Sequence, residues 1–323
     1  RNGDARLTQE TTVTIVEGAG NMAQALRVGE TVMAIERNKP NALAALRNAA
    51  TKWDDVAVVD VPVLYPMGSE KQLVQALTGR ETPAGKLTAD LGLVVHNVAT
   101  AHAVHEAIRH GRPLISRVVT ISGGAIRTPQ NIHAPIGTPI AELINHCGGY
   151  VEEPEIVLVG GPMMGQPISD TRAPILKGTN GILALTKAEV RQRQPMPCIR
   201  CAACVSVCPI GLVPLEMASR VRKDQINQAV DLGLLDCIGC GSCSYVCPSH
   251  IPLAQYFSYA KGHLRATQNN QRKQRLTKKL ATMRETRKAV ELAEKKKKLA
   301  QRRAEQAAKI EALKAANNPE VKP

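Results

Sequence analysis

Residues 198–209 read CIRCAACVSVCP, and residues 237–248 read CIGCGSCSYVCP. Eight of the nine cysteines lie in these two runs, each spaced C-x2-C-x2-C-x3-C and each closed by a proline. This is the spacing with which bacterial ferredoxin segments hold iron–sulfur cubanes. A short loop with a cysteine at every third position can cap three corners of one cube. The fourth cysteine, ahead of its proline, points to the other cube. Cys198, Cys201, Cys204 and Cys247 are therefore assigned to one [4Fe-4S] cluster, and Cys237, Cys240, Cys243 and Cys208 to a second. Zinc sites use two separated C-x2-C pairs rather than an unbroken triple run. Disulfides in so tight a loop would be strained, and the chain shows no secretory start. The pattern implies one-electron transfer.

Working outward, 323 residues suggest about two domains. Hydrophobic residues make up 44% of the chain but aromatics only 2%, so the core must be built from Ala, Val, Leu and Ile. No apolar run approaches the roughly 20 residues of a membrane-spanning helix. Oxygen-sensitive thiolate clusters fit a cytosolic setting. The net charge of +14 looks like a nucleic-acid signal until it is located. Residues 261–323 hold 19 Lys and Arg against 6 Glu, whereas residues 1–260 hold 23 against 22 acidic residues. The charge is a tail on a near-neutral body. That tail contains no aromatic residue on which a base could stack, which argues against nucleic acid as a partner. A solvated helix, or docking to a partner or an anionic membrane surface through lysines such as Lys295–Lys298, fits it better.

Ahead of the cysteine runs, strand-like segments alternate with amphipathic helices. A helix in residues 11–29 precedes a strand at Glu30–Glu36 and a helix at Asn41–Ala50. A second strand at Val56–Val61 leads through the loop Pro62–Glu70 into a helix over Gln72–Leu77. A third strand, Leu91–Val95, precedes the helix Ala99–Arg109. Alternation of this kind predicts an α/β layer with a largely parallel sheet. Short β-like runs begin near Arg117 and make a small mixed module to about residue 150, with more strand and a glycine loop over 156–185. The interval from Cys208 to Cys237 carries Leu215, Met217, Ala218, Val221, Ile226, Val230 and Leu234 at helical spacing, which predicts an all-helical two-cluster domain. Beyond Lys261 the Lys/Ala/Glu/Arg composition predicts one long helix. The chain begins at Arg1, and RNGDARLTQE reads like the middle of a fold, so more chain is expected upstream.

Several ordered segments carry a resemblance. They are ERNKP (36–40), YPMGSEKQL (65–73), LGLVVHNVAT (91–100), RVVTISGGAIRTPQNIHAPIGTP (117–139), GGPMMG (160–165) and both cysteine runs. Together they resemble the RnfC/RsxC family, the C component of the Rnf (or Rsx) membrane electron-transport complex, over about residues 4–260. The resemblance implies an α/β domain like the flavoprotein subunit of complex I at 1–116, incomplete at its start. It implies a small β-grasp ligand-binding-like module with following strands at 117–187. A ferredoxin-type domain at 188–260 follows, with motifs about 188–218 and 228–257, then the basic helical tail 261–323. It further implies FMN and NAD(H) beside the two [4Fe-4S] clusters, with the other members of the complex and ferredoxin as partners. The expected place is peripheral, on the cytoplasmic side of a bacterial inner membrane, where electron flow between NAD(H) and ferredoxin drives ion translocation.

Residue by residue, Tyr65, Gly68 and Glu70 look like the family's flavin and nicotinamide loop. Glycine permits close backbone approach, and tyrosine offers a stacking face with a polar tip. Asn97 and Thr100, at a strand-to-helix junction, resemble a second flavin-contacting segment, aided by backbone N–H groups at the helix start. Gly18-x-Gly20 is too short for a dinucleotide fingerprint and reads as ordinary turn or helix. Cys147 lacks a partner at ligand spacing and reads as a buried thiol. His96, His102, His105 and His110 have no carboxylate or cysteine pattern around them that would predict a metal. The rival reading is a relay and docking protein with no flavin or nucleotide chemistry of its own.

Overall fold

A computed structural model describes residues 3–190 and 194–316. The ends of the tail and of the N-terminal segment, and residues 191–193 at the entry to the expected ferredoxin domain, lie outside the described residues. The chain forms two compact units, residues 1–259 and 260–323.

The first unit opens with α1 (Gly3–Glu10) and α2 (Thr12–Leu26). A β–α–β segment follows, made of β1 (Thr31–Glu36), α3 (Pro40–Ala50) and β2 (Val56–Val61). The two strands pair in parallel, Thr31 opposite Val56 and Glu36 opposite Val61. Next come α4 (Glu70–Thr78), a short 3₁₀ turn at Thr88–Leu91, and α5 (Val98–His110). Ile15 and Val16 of α2, Met33 and Ile35 of β1, Leu46 of α3 and Ala101 of α5 form one buried core. Gly18 lets α2 and α5 cross closely, because a Cβ there would lie 1.9 Å from the Ala101 carbonyl oxygen. The glycine lies inside a helix, one of the two ordinary readings given to it, and serves the packing of that helix.

The expected strand at Leu91–Val95 is not formed. Gly92 adopts φ +76 and closes the 3₁₀ turn, with the amide of Leu93 donating to the carbonyl of Thr88. Among the described residues no strand lies beside this run to complete a ladder, and Val94 is exposed. The β-forming side chains of LGLVV reflect alternate burial without pairing.

A five-stranded sheet follows, built from β3 (Ser116–Ser122), β4 (Gln130–Pro135), β5 (Ile156–Val159), β6 (Gln166–Ile168) and β7 (Gly181–Leu185). Helix α6 (Ile140–His146) packs on it. The strand order is β4-β3-β7-β5-β6, with the first and last strands in sequence, β3 and β7, adjacent and parallel. Residues 117–150 and 156–185, which the sequence separates, thus share one sheet and one core centred on Val119, Ile121, Ile144 and Ile182.

Among its described residues the cysteine-rich part consists of short helices joined by loops, with no strand. It contains α7 (Ala203–Ser206), α8 (Pro214–Arg222), α9 (Ile226–Asp231) and α10 (Ser242–Tyr245). Met217, Ala229 and Leu234 are fully buried and fill the interval between the two runs. Helix α11 (Leu253–Ala316) is 64 residues long in all and continues into the tail. Every described side chain from Arg265 to Lys314 is exposed.

Candidate iron–sulfur and flavin sites

The two cysteine runs fold alike. In each, a loop carries three cysteines into a one-turn helix, α7 or α10, and the fourth follows that helix. The third and fifth residues of each run adopt left-handed backbone, Arg200 (φ 57) and Ala202 (φ 60) in the first, Gly239 (φ 68) and Gly241 (φ 82) in the second. Left-handed turns let a short loop curl its cysteines toward one point. They cost an L side chain about 1–2 kcal/mol each.

The runs are tied to each other end to start. Ser249, just after the second run, donates through Oγ to the Pro197 carbonyl at 2.9 Å, and the Met196 amide donates to the Ser249 carbonyl at 2.9 Å. This pairing carries Cys247 to the first run. A cavity of about 460 Å³ is lined by Cys198, Cys201, Cys204 and Cys247. A second, tight cavity of about 20 Å³ is lined by Cys208, Cys237, Cys240 and Cys243. These are the two crossed sets expected from the spacing.

Electrostatics groups the same thiols. Burial pushes Cys243 up to about 12, and the neighbouring Cys237 and Cys240 push in the same direction. Burial likewise raises Cys204, with Cys247 and Cys198 adding to the rise. Thiolates crowded this way ionise together only around a cationic centre, which is the donor set a thiolate-bound cluster takes. The residues fit two cubanes.

The two cavities differ in exposure. Cys198 and Cys201 are exposed, as are Ile199 and Arg200 between them. Cys240 and Cys243 are buried, and Phe257, Met217 and Leu212 help wall their cavity. Gly241 explains part of this cover, since a Cβ there would stand 2.8 Å from the Met163 carbonyl oxygen. The GGPMMG loop therefore lies on the second cluster loop and leaves no room for the alanine that the first run carries at the same place.

The segment expected to bind flavin also reaches the second cluster loop. Tyr65 donates its hydroxyl to the Cys240 carbonyl at 2.7 Å, and Gln72 donates through Nε2 to the Pro209 carbonyl at 3.2 Å. Burial, then the charge of Cys240, push the Tyr65 hydroxyl up, so it stays a donor. Half of the Tyr65 surface remains exposed. Gly68 is exposed, and a Cβ added there would meet nothing within 4 Å, which leaves the open backbone a flat ligand requires. Glu70 opens α4 and accepts from the Thr88 hydroxyl. Asn97 caps α5, accepting from the Ala99 amide at 2.8 Å and donating to Asp4 at 3.0 Å. Thr100 lies half-buried in the first turn of α5. The polar side chains of Tyr65, Glu70 and Asn97 thus each bind a different partner within the chain. Neither cysteine cavity includes any of them.

Cys147 is fully buried in the five-stranded unit, away from both cysteine sets, and burial raises its thiol. His105 is buried beside Glu17 at 3.1 Å, and His102 Nδ1 meets Thr14 Oγ1 at 2.8 Å. His105, Glu106 and His110 bring possible ligand atoms within 4.8 Å of one another. Gln72 and Met163 were missed by sequence reasoning, because each meets the cysteine runs through a backbone carbonyl, that of Pro209 for Gln72 and its own for Met163, which no spacing announces. Arg200 and Ala202 were legible: laying the two runs over each other shows them opposite glycines.

Three family models match this chain in order. They are a Nuo51 FMN-binding domain over residues 2–106, an SLBB domain over 118–167 and a 4Fe-4S dicluster domain over 197–251. The C component of the ion-translocating oxidoreductase complex of Rhodobacter capsulatus is 54% identical over 268 residues, covering 82% of this chain and 51% of that protein. The chain belongs to this RnfC family. The C component of the proton-translocating ferredoxin:NAD(+) oxidoreductase complex of Clostridium ljungdahlii is 45% identical over 264 residues, 81% of this chain and 58% of the relative. The chain thus spans about half the length of these RnfC relatives. Among solved structures, the NAD+-reducing [NiFe]-hydrogenase in its H2-reduced state aligns with a TM-score of 0.53 at 15% identity, covering 81% of this chain and 52% of that chain. At that identity the likeness shows fold. The family models place FMN and 4Fe-4S chemistry in the segments where the geometry finds an open glycine loop and two cysteine cages.

Proposed function

We propose that this chain is the electron-transfer part of a membrane-bound complex that couples electron flow between NAD(H) and ferredoxin to ion translocation. The observation that carries the proposal is the sorting of eight cysteines into two crossed sets of four, each around its own cavity. Cys208, Cys237, Cys240 and Cys243 would hold an inner cluster, and Cys198, Cys201, Cys204 and Cys247 an outer one. Tyr65 and Gln72 brace the inner set against the flavin-type domain. Gly68 and the open face of Tyr65 would receive FMN and the nicotinamide, with Glu70, Asn97 and Thr100 supplying polar contacts. Bound flavin exchanges the two electrons of a hydride and releases them singly, which suits cubane relays. The sheet order, with its first and last strands parallel and adjacent, supports the β-grasp reading of 117–187.

The setting we infer is peripheral, at the cytoplasmic face of a bacterial inner membrane, among the other members of the complex. No helix among the described residues is long and apolar enough to cross a membrane. The basic tail suits an anionic lipid surface or an acidic protein partner.

One observation favours the second reading, a relay without its own flavin. The Tyr65 hydroxyl and the Asn97 amide are both occupied within the chain. Adding NADH to anaerobic protein loaded with iron and FMN separates the two. Bleaching of the cluster absorbance by NADH supports the nicotinamide port. Clusters that respond to dithionite and ignore NADH support the relay.

A further inference from the structure

Helices α2 and α5 bring together a group of polar side chains that no electron-transfer step requires. Gly18 lets the two helices cross closely at Ala101. One helical turn beyond Ala101 lies His105, and the crossing sets Glu17 of α2 against it. His105 is only 6% exposed, and its Nδ1 finds no hydrogen-bond partner among the described residues. Glu17 Oε2 stands 3.1 Å from that nitrogen but outside the alignment of a hydrogen bond. A buried ring nitrogen left in this condition is costly unless something completes its surroundings.

The end of α5 supplies further donors. His105, Glu106 and His110 each offer one ligand atom, and these atoms lie within 4.8 Å of one another. Glu106 gives Oε2 to Arg112 at 3.3 Å, which leaves Oε1 toward His110 Nε2 at 3.8 Å. That gap is too long for a hydrogen bond. Two ligand atoms each roughly 2.0–2.2 Å from one zinc ion stand about 3.4 Å apart at a tetrahedral angle, so a small side-chain adjustment closes the set. His102, one turn before Glu106, is held on Thr14 through Nδ1. Burial keeps its imidazole below the usual histidine range, with Glu106 opposing and His105 and His133 adding to the fall. It is a neutral neighbour that brings no competing charge.

We propose that His105, Glu106 and His110 bind one divalent ion of the zinc class, with Glu17 as the carboxylate that orients His105. Metal-bound histidines turn their other ring N–H to a carboxylate, so His105 would ligate through Nε2 and complete its contact with Glu17 through Nδ1. Water takes the fourth position, because His110 is half exposed. The cation lies against the last turn of α5, where its charge complements the helix dipole, just before Gly111 ends the helix at φ 64. The ion thereby clasps α5 to α2 where the chain leaves for β3. No cysteine takes part, so the proposal stands apart from the two-cluster reading.

The test uses the full chain with its clusters loaded, so that the cysteines are occupied. Zn2+ is titrated by calorimetry, and X-ray absorption at the zinc edge reads the ligand shell. One zinc per chain is expected, with nitrogen and oxygen at about 2.0–2.1 Å. A sulfur shell at about 2.3 Å would give the ion to the cysteines and overturn the site. His110→Ala and Glu106→Gln should each weaken zinc binding by about tenfold or more. His146→Ala, which removes an exposed histidine of α6, should leave the affinity unchanged. Zinc should raise the melting temperature of wild type and not that of His110→Ala, whose melt without zinc should match wild type. Equal affinity in every variant, or no saturable binding, would overturn the proposal and leave an ion pair between His105 and Glu17 as the whole role of the group.

Discussion

The Tyr65 hydroxyl donates to the backbone carbonyl of Cys240 at 2.7 Å across 175 residues of sequence. A side chain from the flavin-type domain thereby holds the ligand loop of the inner cysteine set. Tyr65→Phe keeps the aromatic face but deletes this bond and leaves a partly buried carbonyl short of a donor. It should cost about 1 kcal/mol in chemical denaturation while flavin content stays unchanged. Equal stability would show that the bond contributes nothing to the join.

Matching positions in the two cysteine runs should respond oppositely to matched substitutions. Gly241→Ala forces a Cβ to within 2.8 Å of the Met163 carbonyl at φ +82 and should destabilise by about 2–4 kcal/mol. Ala202→Gly, at φ 60 on the exposed loop, should be neutral or stabilise by up to about 1 kcal/mol. Thermal melts of both variants check the pair.

Crossed ligation makes a prediction against sequence proximity. Cys208→Ala should damage the cluster held by Cys237, Cys240 and Cys243, and Cys247→Ala the one held by Cys198, Cys201 and Cys204. Electron paramagnetic resonance of the reduced variants reads which signal is lost. Damage confined to the run that carries each mutation would refute the crossing.

Cys147 should prove structural. Cys147→Ala removes a fully buried sulfur and should cost about 1–2 kcal/mol with iron content unchanged. Burial raises this thiol above its ordinary value of 9.0, so the folded chain holds the proton more tightly than the unfolded chain. Its contribution is complete below about pH 9 and declines as pH rises further. Denaturation of wild type and Cys147→Ala should therefore converge in alkali. A gap that widened with pH would contradict the burial argument.

Much of the architecture was legible because local pattern and tertiary context agree. The strand Val56–Val61 and the helices around Asn41–Ala50 and Ala99–Arg109 appear nearly where hydrophobic spacing puts them. The helical filling between the cysteine runs buries Met217 and Leu234 as its spacing requires. Leu91–Val95 failed because strand formation needs a neighbour, and composition cannot supply one. The five-stranded sheet was read in two pieces because β3 pairs with β7 across some sixty residues of intervening chain. At the site, spacing alone groups the eight cysteines in the same two fours that line the two cavities. The engagement of Tyr65 with Cys240 and of Asn97 with Asp4 was not legible, since each depends on long-range packing.

Iron and acid-labile sulfide counted in anaerobically purified protein test the central claim most directly. Two cubanes predict about eight of each per chain, with two one-electron reductions in a redox titration. Zinc in place of iron, or iron sufficient for a single cluster with all eight cysteines intact, would contradict it.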